Sequence, residues 1–124
     1  MSRVLVPQVP LLGFPTAITL SLDAVEGAVG LYSLVSAQAA ELRLFVLDAA
    51  IHLPEYSPAF TRDQLALLES PEDTNQSVLV IVNTANSQTT VNLFAPILVN
   101  TGTGACTQVI LDGQDWPLRH VLPL

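Results

Sequence analysis

The side chains that could support catalysis or metal binding are few and far apart in this sequence. His52 and His120 are separated by 68 positions, and neither belongs to an HExxH motif or a comparable metal-ligand pattern. Histidines without such partners are more often surface or loop residues. The sequence therefore predicts no metal site and no cofactor.

Candidate nucleophiles also lack the partners that catalysis would need. No Gly-x-Ser-x-Gly elbow surrounds any serine, and Cys106 falls in a predicted strand where a small buried side chain is expected. Glu72 and Asp73 are adjacent, which is typical of a solvated turn rather than an acid–base couple. The glycine-containing loop at 101–104 has no lysine for a phosphate. We therefore predict no catalytic residues and no enzymatic activity.

Composition directs attention to protein partners. The chain of 124 residues carries eleven acids and four arginines but no lysine, for a net charge of −7. An acidic surface disfavours direct nucleic-acid binding and would attract a basic protein. Half of the residues are apolar and only 12% are charged, so weak self-association is a further expectation.

The sequence contains no signal peptide and no apolar run near the ~20 residues that span a bilayer. The single cysteine excludes an internal disulfide. We therefore expect a cytoplasmic protein without membrane contact.

Short alternating segments predict the elements that would position any site. Residues 17–22 and 42–47 alternate as half-buried strands do, and turn residues recur every 8–12 positions. Thr61 and Gln64 form a capping-box pattern at the start of one short helix. We predict a mainly β, small antiparallel β-barrel-like or sandwich fold with one short helix, in a single domain covering residues 1–124.

An acidic segment, defined here as residues 48–73, differs from the rest of the chain. It holds six acids against one arginine. Such a segment is either a solvated face that keeps an apolar protein in solution or a partner-docking surface. Tyr56 and Phe60 favour docking, because aromatic residues often anchor interfaces, although either could instead attach the segment to the core.

The segment 89–100 predicts a strand with a kink at Pro96, because proline has no N–H for a ladder. A Thr-Gly-Thr-Gly loop and a return strand from Ala105 follow, which indicates a hairpin. Physically, this stretch predicts a β scaffold and no chemistry.

The same stretch resembles the signature of the FliW family of bacterial flagellar assembly factors. Residues 90–100, Thr-Val-Asn-Leu-Phe-Ala-Pro-Ile-Leu-Val-Asn, and 108–111, Gln-Val-Ile-Leu, are similar to its C-terminal motif. The segments 12–14, 31–33, 44–48 and 53–56 resemble other family elements in the same order.

The resemblance implies a non-enzymatic β-barrel that binds flagellin and the RNA-binding translational repressor CsrA, relieving repression of flagellin translation. The rival hypothesis is a structural or oligomerising β-domain that does not bind CsrA. Three departures stand out: a short region before Gly13, which leaves barrel closure open, Ala49 in place of a proline, and Ser57 in place of an acid.

The acidic segment and the family-like motifs together give two sets of residues. The predicted partner-binding residues are Glu55, Tyr56, Phe60, Asp63 and Glu69. The predicted scaffold residues are Gly13, Phe14, Asn92, Pro96 and Asn100.

Overall fold

The computed structural model describes residues 2–8, 19–36, 43–68 and 76–122. Within these ranges it contains eight strands: β1 (Ser2–Pro7), β2 (Leu20–Ala24), β3 (Leu31–Ser36), β4 (Arg43–Asp48), β5 (Gln76–Ala85), β6 (Gln88–Asn100), β7 (Ala105–Gln108) and β8 (His120–Val121). The same ranges hold two helices: α1 (Ala49–His52) and α2 (Arg62–Ala66). The mainly β prediction is confirmed, and α1 is a second short helix that the sequence did not predict.

Seven of the strands close into a barrel in the order β5-β4-β3-β2-β1-β7-β6, with β6 pairing back to β5. The short N-terminal region suffices for closure, because β1 pairs antiparallel with β2 and parallel with β7. Among the described strands β1–β7 is the parallel pair in an otherwise antiparallel barrel. The eighth strand, β8, pairs with the first half of β6.

The barrel interior follows the alternation along each strand, since successive side chains in a strand point to opposite faces. Each of the seven barrel strands contributes at least one buried side chain to one apolar cluster: Leu5, Leu20, Leu22, Leu34, Val46, Leu79, Ile81, Ile97, Val99 and Cys106. Closing the sheet around this cluster removes its apolar surface from water, which is the main favourable contribution to the free energy of folding.

Strand β6 is a single element of 13 residues with a bulge before Pro96 rather than two short strands. On β5, Val80 alone separates the pairs Leu79–Ile97 and Ile81–Asn92, whereas four residues separate them on β6. The side chains of these four residues do not alternate regularly between the two faces of the sheet. Positions that would share one face in a regular strand therefore lie on opposite faces before and after the bulge. Val91 therefore lies outside the barrel and Ile97 lies inside it.

Polar groups in the bulge are nearly all paired. Asn92 Oδ1 accepts hydrogen bonds from the N–H groups of Phe94 and Ala95, both at 3.0 Å. The carbonyls of residues 93–96 accept from the Tyr56 hydroxyl, Leu111 N, the Gln108 side chain and Val109 N. Pro96 has no N–H to satisfy, so it is well suited to this position.

Two tight connections depend on backbone conformation. Asn86 and Ser87 link β5 to β6 with φ of 54° and 64°, as the type I′ hairpin turn requires. Gly104, at φ 84°, lies where an added Cβ would approach the Val4 carbonyl oxygen to 2.4 Å. A glycine is therefore required where β1 passes the loop before β7.

Much of the outer face of β5 and β6 is covered by chain rather than exposed to water. The described part of the acidic segment and the C-terminal strap, defined as residues 112–122, contribute to two outer clusters built on Val80, Val91, Leu93 and Leu98. Burial on both faces explains why β5 is so apolar. It also accounts for much of the apolar composition.

Candidate partner-docking surface

The acidic segment begins at α1, which follows directly from strand β4. Asp48 caps this helix, its Oδ1 accepting from Ala50 N at 2.9 Å, and Ala49 is buried against the sheet. Leu53 N then donates to the Ala49 carbonyl and closes the single turn. Pro54 follows at once, so the helix ends and the chain becomes irregular across the outer face.

Tyr56 anchors the middle of the segment to the barrel. Its hydroxyl donates to the Leu93 carbonyl at 2.6 Å, and its ring lies edge-on to Trp116 with centroids 4.8 Å apart. Burial raises the pKa of Tyr56 above its ordinary value, because the phenolate would lose hydration. The hydroxyl therefore remains a donor throughout the physiological pH range.

The C-terminal strap holds the segment from the other side. Gln114 makes two hydrogen bonds with the backbone of Ala59: Ala59 N donates to Oε1 at 3.0 Å, and Nε2 donates to the Ala59 carbonyl at 2.9 Å. Trp116 Nε1 donates to the same Oε1 at 3.2 Å. The strap and the segment are thus joined by a short polar network beside an aromatic pair.

Helix α2 ends the described part of the segment. The capping box is present as predicted, because Gln64 N donates to Thr61 Oγ1 at 3.1 Å and Thr61 N donates to Gln64 Oε1 at 2.8 Å. Leu65 and Leu68 belong to the same outer cluster as Leu98 of β6, so the short helix packs on the sheet. Asn100 Nδ2 donates to the Leu68 carbonyl at 2.8 Å and connects this end to β6.

These attachments leave the carboxylates of Glu55 and Asp63 in solvent. Glu55 and Asp63 are exposed, whereas Tyr56 and Phe60 are half-buried and contact the same outer cluster. A groove of about 380 Å³ runs beside Glu55 and is lined by Leu53, Pro54, Tyr56, Leu93, Trp116 and His120. The surface thus combines carboxylates with a partly apolar groove, a chemistry that suits protein binding.

The remaining predicted residues have the following positions. Asn92 and Pro96 form the bulge of β6, and Asn100 ends that strand. Gly13, Phe14 and Glu69 lie outside the described residues.

The residues considered for chemistry are not brought together. His52 Nε2 lies 2.7 Å from the Val29 carbonyl oxygen, whereas His120 lies on β8 and lines the groove beside Glu55. Cys106 is inside the barrel, where burial raises the pKa of its thiol to about 12. Within the described residues, no cluster of three His, Cys, Asp or Glu side chains could hold a metal. None of the described helices could cross a membrane.

Sequence reasoning missed two residues of the strap, Gln114 and Trp116. The only signal was the single tryptophan of the chain, placed after a glycine turn. A lone tryptophan commonly packs against other apolar side chains, but its contact with Tyr56 joins positions 60 residues apart. The two residues meet because the segment and the strap both pack on β6 at Leu93.

Comparison with known proteins identifies what this arrangement resembles. The sequence model of the family described as "FliW protein" matches residues 2–122. A solved structure, "Crystal structure of the flagellar assembly factor FliW", superimposes with a TM-score of 0.87, covering 95% of this chain and 84% of that chain at 22% identity. At this identity, the structural match establishes the shared fold.

Several curated relatives carry the name "Flagellar assembly factor FliW", including the following three. The one from Desulfitobacterium hafniense (strain Y51) is 33% identical over 72% of this chain. The one from Thermotoga maritima is 35% identical over 72% of this chain, and the one from Campylobacter lari 30% identical over 87%. The matched regions span 60%, 62% and 82% of these relatives, respectively.

Proposed function

The chain belongs to the FliW family, and on that premise we propose that it is a flagellar assembly factor that binds flagellin and CsrA. Binding to CsrA would relieve the repression of flagellin translation. Flagellin and CsrA would compete for the same pool of this chain. The proposed role is regulatory and non-enzymatic, and its proposed location is the cytoplasm.

One observation carries the proposal: the exposed carboxylates of Glu55 and Asp63 lie on a segment that is fixed to the barrel. A fixed surface loses little conformational entropy on binding, so its charges contribute more to affinity than those of a mobile loop. Negative charge would attract a basic RNA-binding protein and repel RNA phosphates. Docking there suits an antagonist of an RNA-binding protein.

Tyr56 and Phe60 have two roles in this proposal. Both attach the segment to the outer cluster, and both remain partly exposed beside the carboxylates. We propose that their exposed edges contribute apolar contact while their buried portions hold the surface in place. Glu69 is proposed to extend the acidic surface.

The proposal is tested by co-purifying the chain with flagellin and with CsrA from the same organism. Binding to neither at micromolar concentration would refute the regulatory role. The double variant Glu55→Gln with Asp63→Asn should weaken CsrA binding by roughly 2–10-fold, mainly through slower association at low salt. Glu26→Gln is the matched control, because Glu26 is an exposed carboxylate in the β2–β3 turn.

The rival hypothesis of an oligomerising β-domain makes a different prediction. Light scattering should then show a tight oligomer, and the acid-to-amide variants should alter its assembly instead of partner binding. A monomer that binds flagellin or CsrA would exclude this alternative.

A further inference from the structure

A second groove lies on the outer face of the barrel and has chemistry unlike that of the acidic surface. It has a volume of about 420 Å³ and is lined by Leu31, Phe45, Leu47, His52, Val82, Thr84, Thr89 and Leu122. Within the described residues, none lines both this groove and the groove beside Glu55. We propose that this groove binds an amphipathic helix of a protein partner, with an acidic side chain at the edge of its apolar stripe.

The groove belongs to an exposed apolar patch. Phe45 is 42% exposed, and Ile51 and Val29 are 51% and 81% exposed. These two residues adjoin the groove through His52, whose ring nitrogen lies 2.7 Å from the Val29 carbonyl oxygen. Large apolar side chains grouped around a concave surface are typical of interaction sites, whereas scattered ones are not.

The floor of the groove favours a helix over an extended peptide. Its strands are already paired to one another, with Leu31 opposite Leu47, Phe45 opposite Val82, and Thr84 opposite Thr89. An extended peptide lying on this floor would bury backbone N–H and C=O groups against apolar side chains. A helix satisfies its own backbone and presents only side chains to the groove.

Charge at the edge of the groove favours an acidic partner. Arg43 is exposed and precedes Phe45 by two positions on β4, so both side chains lie on the outer face. No ion pair joins Arg43 to another residue in the described ranges. Among the described lining residues there is a histidine but no acid. An acidic side chain beside the apolar stripe would therefore meet a cation and no like charge.

A second copy of this chain fits the groove less well. A stable interface between two proteins uses roughly 20–30 residues on each side, whereas eight residues line this groove. A single helix needs only a few apolar side chains at i, i+3, i+4 and i+7 to occupy such a groove.

The test uses two stapled helical peptides of about 18 residues with the same leucine stripe, one flanked by glutamates and one by lysines. Fluorescence anisotropy gives their affinities for the full chain. We expect the glutamate peptide to bind at least ~10-fold more weakly to Phe45→Ser. Arg43→Gln should reduce the preference for glutamate over lysine. Ile110→Ser should leave binding unchanged, because Ile110 is similarly exposed, at 41%, and does not line the groove.

Several outcomes would overturn the proposal. The first is a failure of the glutamate peptide to bind at about 1 mM. The second is an equal loss of affinity in Ile110→Ser. The third is a dimer of the chain that forms without peptide and dissociates when Phe45 is replaced by serine. Emission from Trp116 provides a further check, because Trp116 lines the other groove. We expect it to be unaffected by the peptide. Neither flagellin nor CsrA is used, so the result is independent of the proposed function.

Discussion

Replacing Asn100 with alanine should destabilise the barrel and loosen the end of the acidic segment. Asn100 is buried at the end of β6, and its side chain makes three hydrogen bonds. Nδ2 donates to the Leu68 carbonyl at 2.8 Å. Oδ1 accepts from the N–H groups of Gly102 at 2.9 Å and Thr103 at 3.3 Å.

The magnitude depends on which of these groups water can reach after the substitution. Leu68 is fully buried, so its carbonyl would lose a partner without replacement, at a cost of about 1–3 kcal/mol. Gly102 and Thr103 are exposed, so their N–H groups can turn to water and each loss costs about 0.5 kcal/mol. The expected total is about 2–4 kcal/mol of unfolding free energy.

Urea denaturation followed by circular dichroism measures this difference, and a thermal melt gives a second estimate. For a chain of this length, 1 kcal/mol corresponds to about 3–6 °C in Tm. Asn83→Ala is the matched control, because Asn83 is exposed on β5. We expect the control to change stability by less than about 0.5 kcal/mol.

Hydrogen exchange tests the local part of the reasoning. Losing the bond to Leu68 should speed exchange in α2 more than in β2 and β3, because Asn100 joins the segment to the barrel at this point. A loss in stability below about 0.5 kcal/mol for Asn100→Ala, or exchange accelerated equally throughout the chain, would refute the argument.

Two further predictions concern the β5–β6 turn and the barrel interior. Ser87→Gly should raise unfolding free energy by about 0.5–1 kcal/mol in urea denaturation, because Ser87 has a φ of 64°; a lower Tm would contradict this. The pKa of the Cys106 thiol is about 12 in the folded chain, against an ordinary value of 9.0. The unfolded chain therefore loses this proton at a lower pH than the folded chain does, so the free energy of unfolding falls as pH rises above about 9. Urea denaturation between pH 8 and 11 should show a shallower fall for Cys106→Ala, by up to about 1.4 kcal/mol per pH unit; equal slopes would exclude the thiol as the cause.

The sequence predicted the elements whose signals are local. Thr61 and Gln64 sit three positions apart, so the capping box could be found without knowledge of the fold. Alternation through Leu20 and Leu22 likewise identified a strand and its buried face. Helix α1 was missed because a four-residue helix has almost no periodic signal, and its Asp48 cap also fits a turn.

The bulge in β6 could not be predicted from local sequence patterns. Simple alternation places Val91, Leu93, Ile97 and Val99 on one face, yet the first two lie outside the barrel and the last two inside. The exchange depends on backbone groups of residues 93–96 finding partners in other elements. Proline at position 96 signalled an irregularity, but not its size or its effect on the two faces.

The sequence by itself determined the β class, the capping box, the acidic character of 48–73 and the resemblance to the FliW family. Each of these is a property of residue types at short spacing. The tertiary structure decided how the barrel closes through β1, and that Tyr56 and Trp116 meet in the groove beside Glu55. It also placed the exposed Phe45 opposite Val82 of β5 on the outer face. Those contacts join residues distant in sequence, and strand pairing in the closed barrel brings them together.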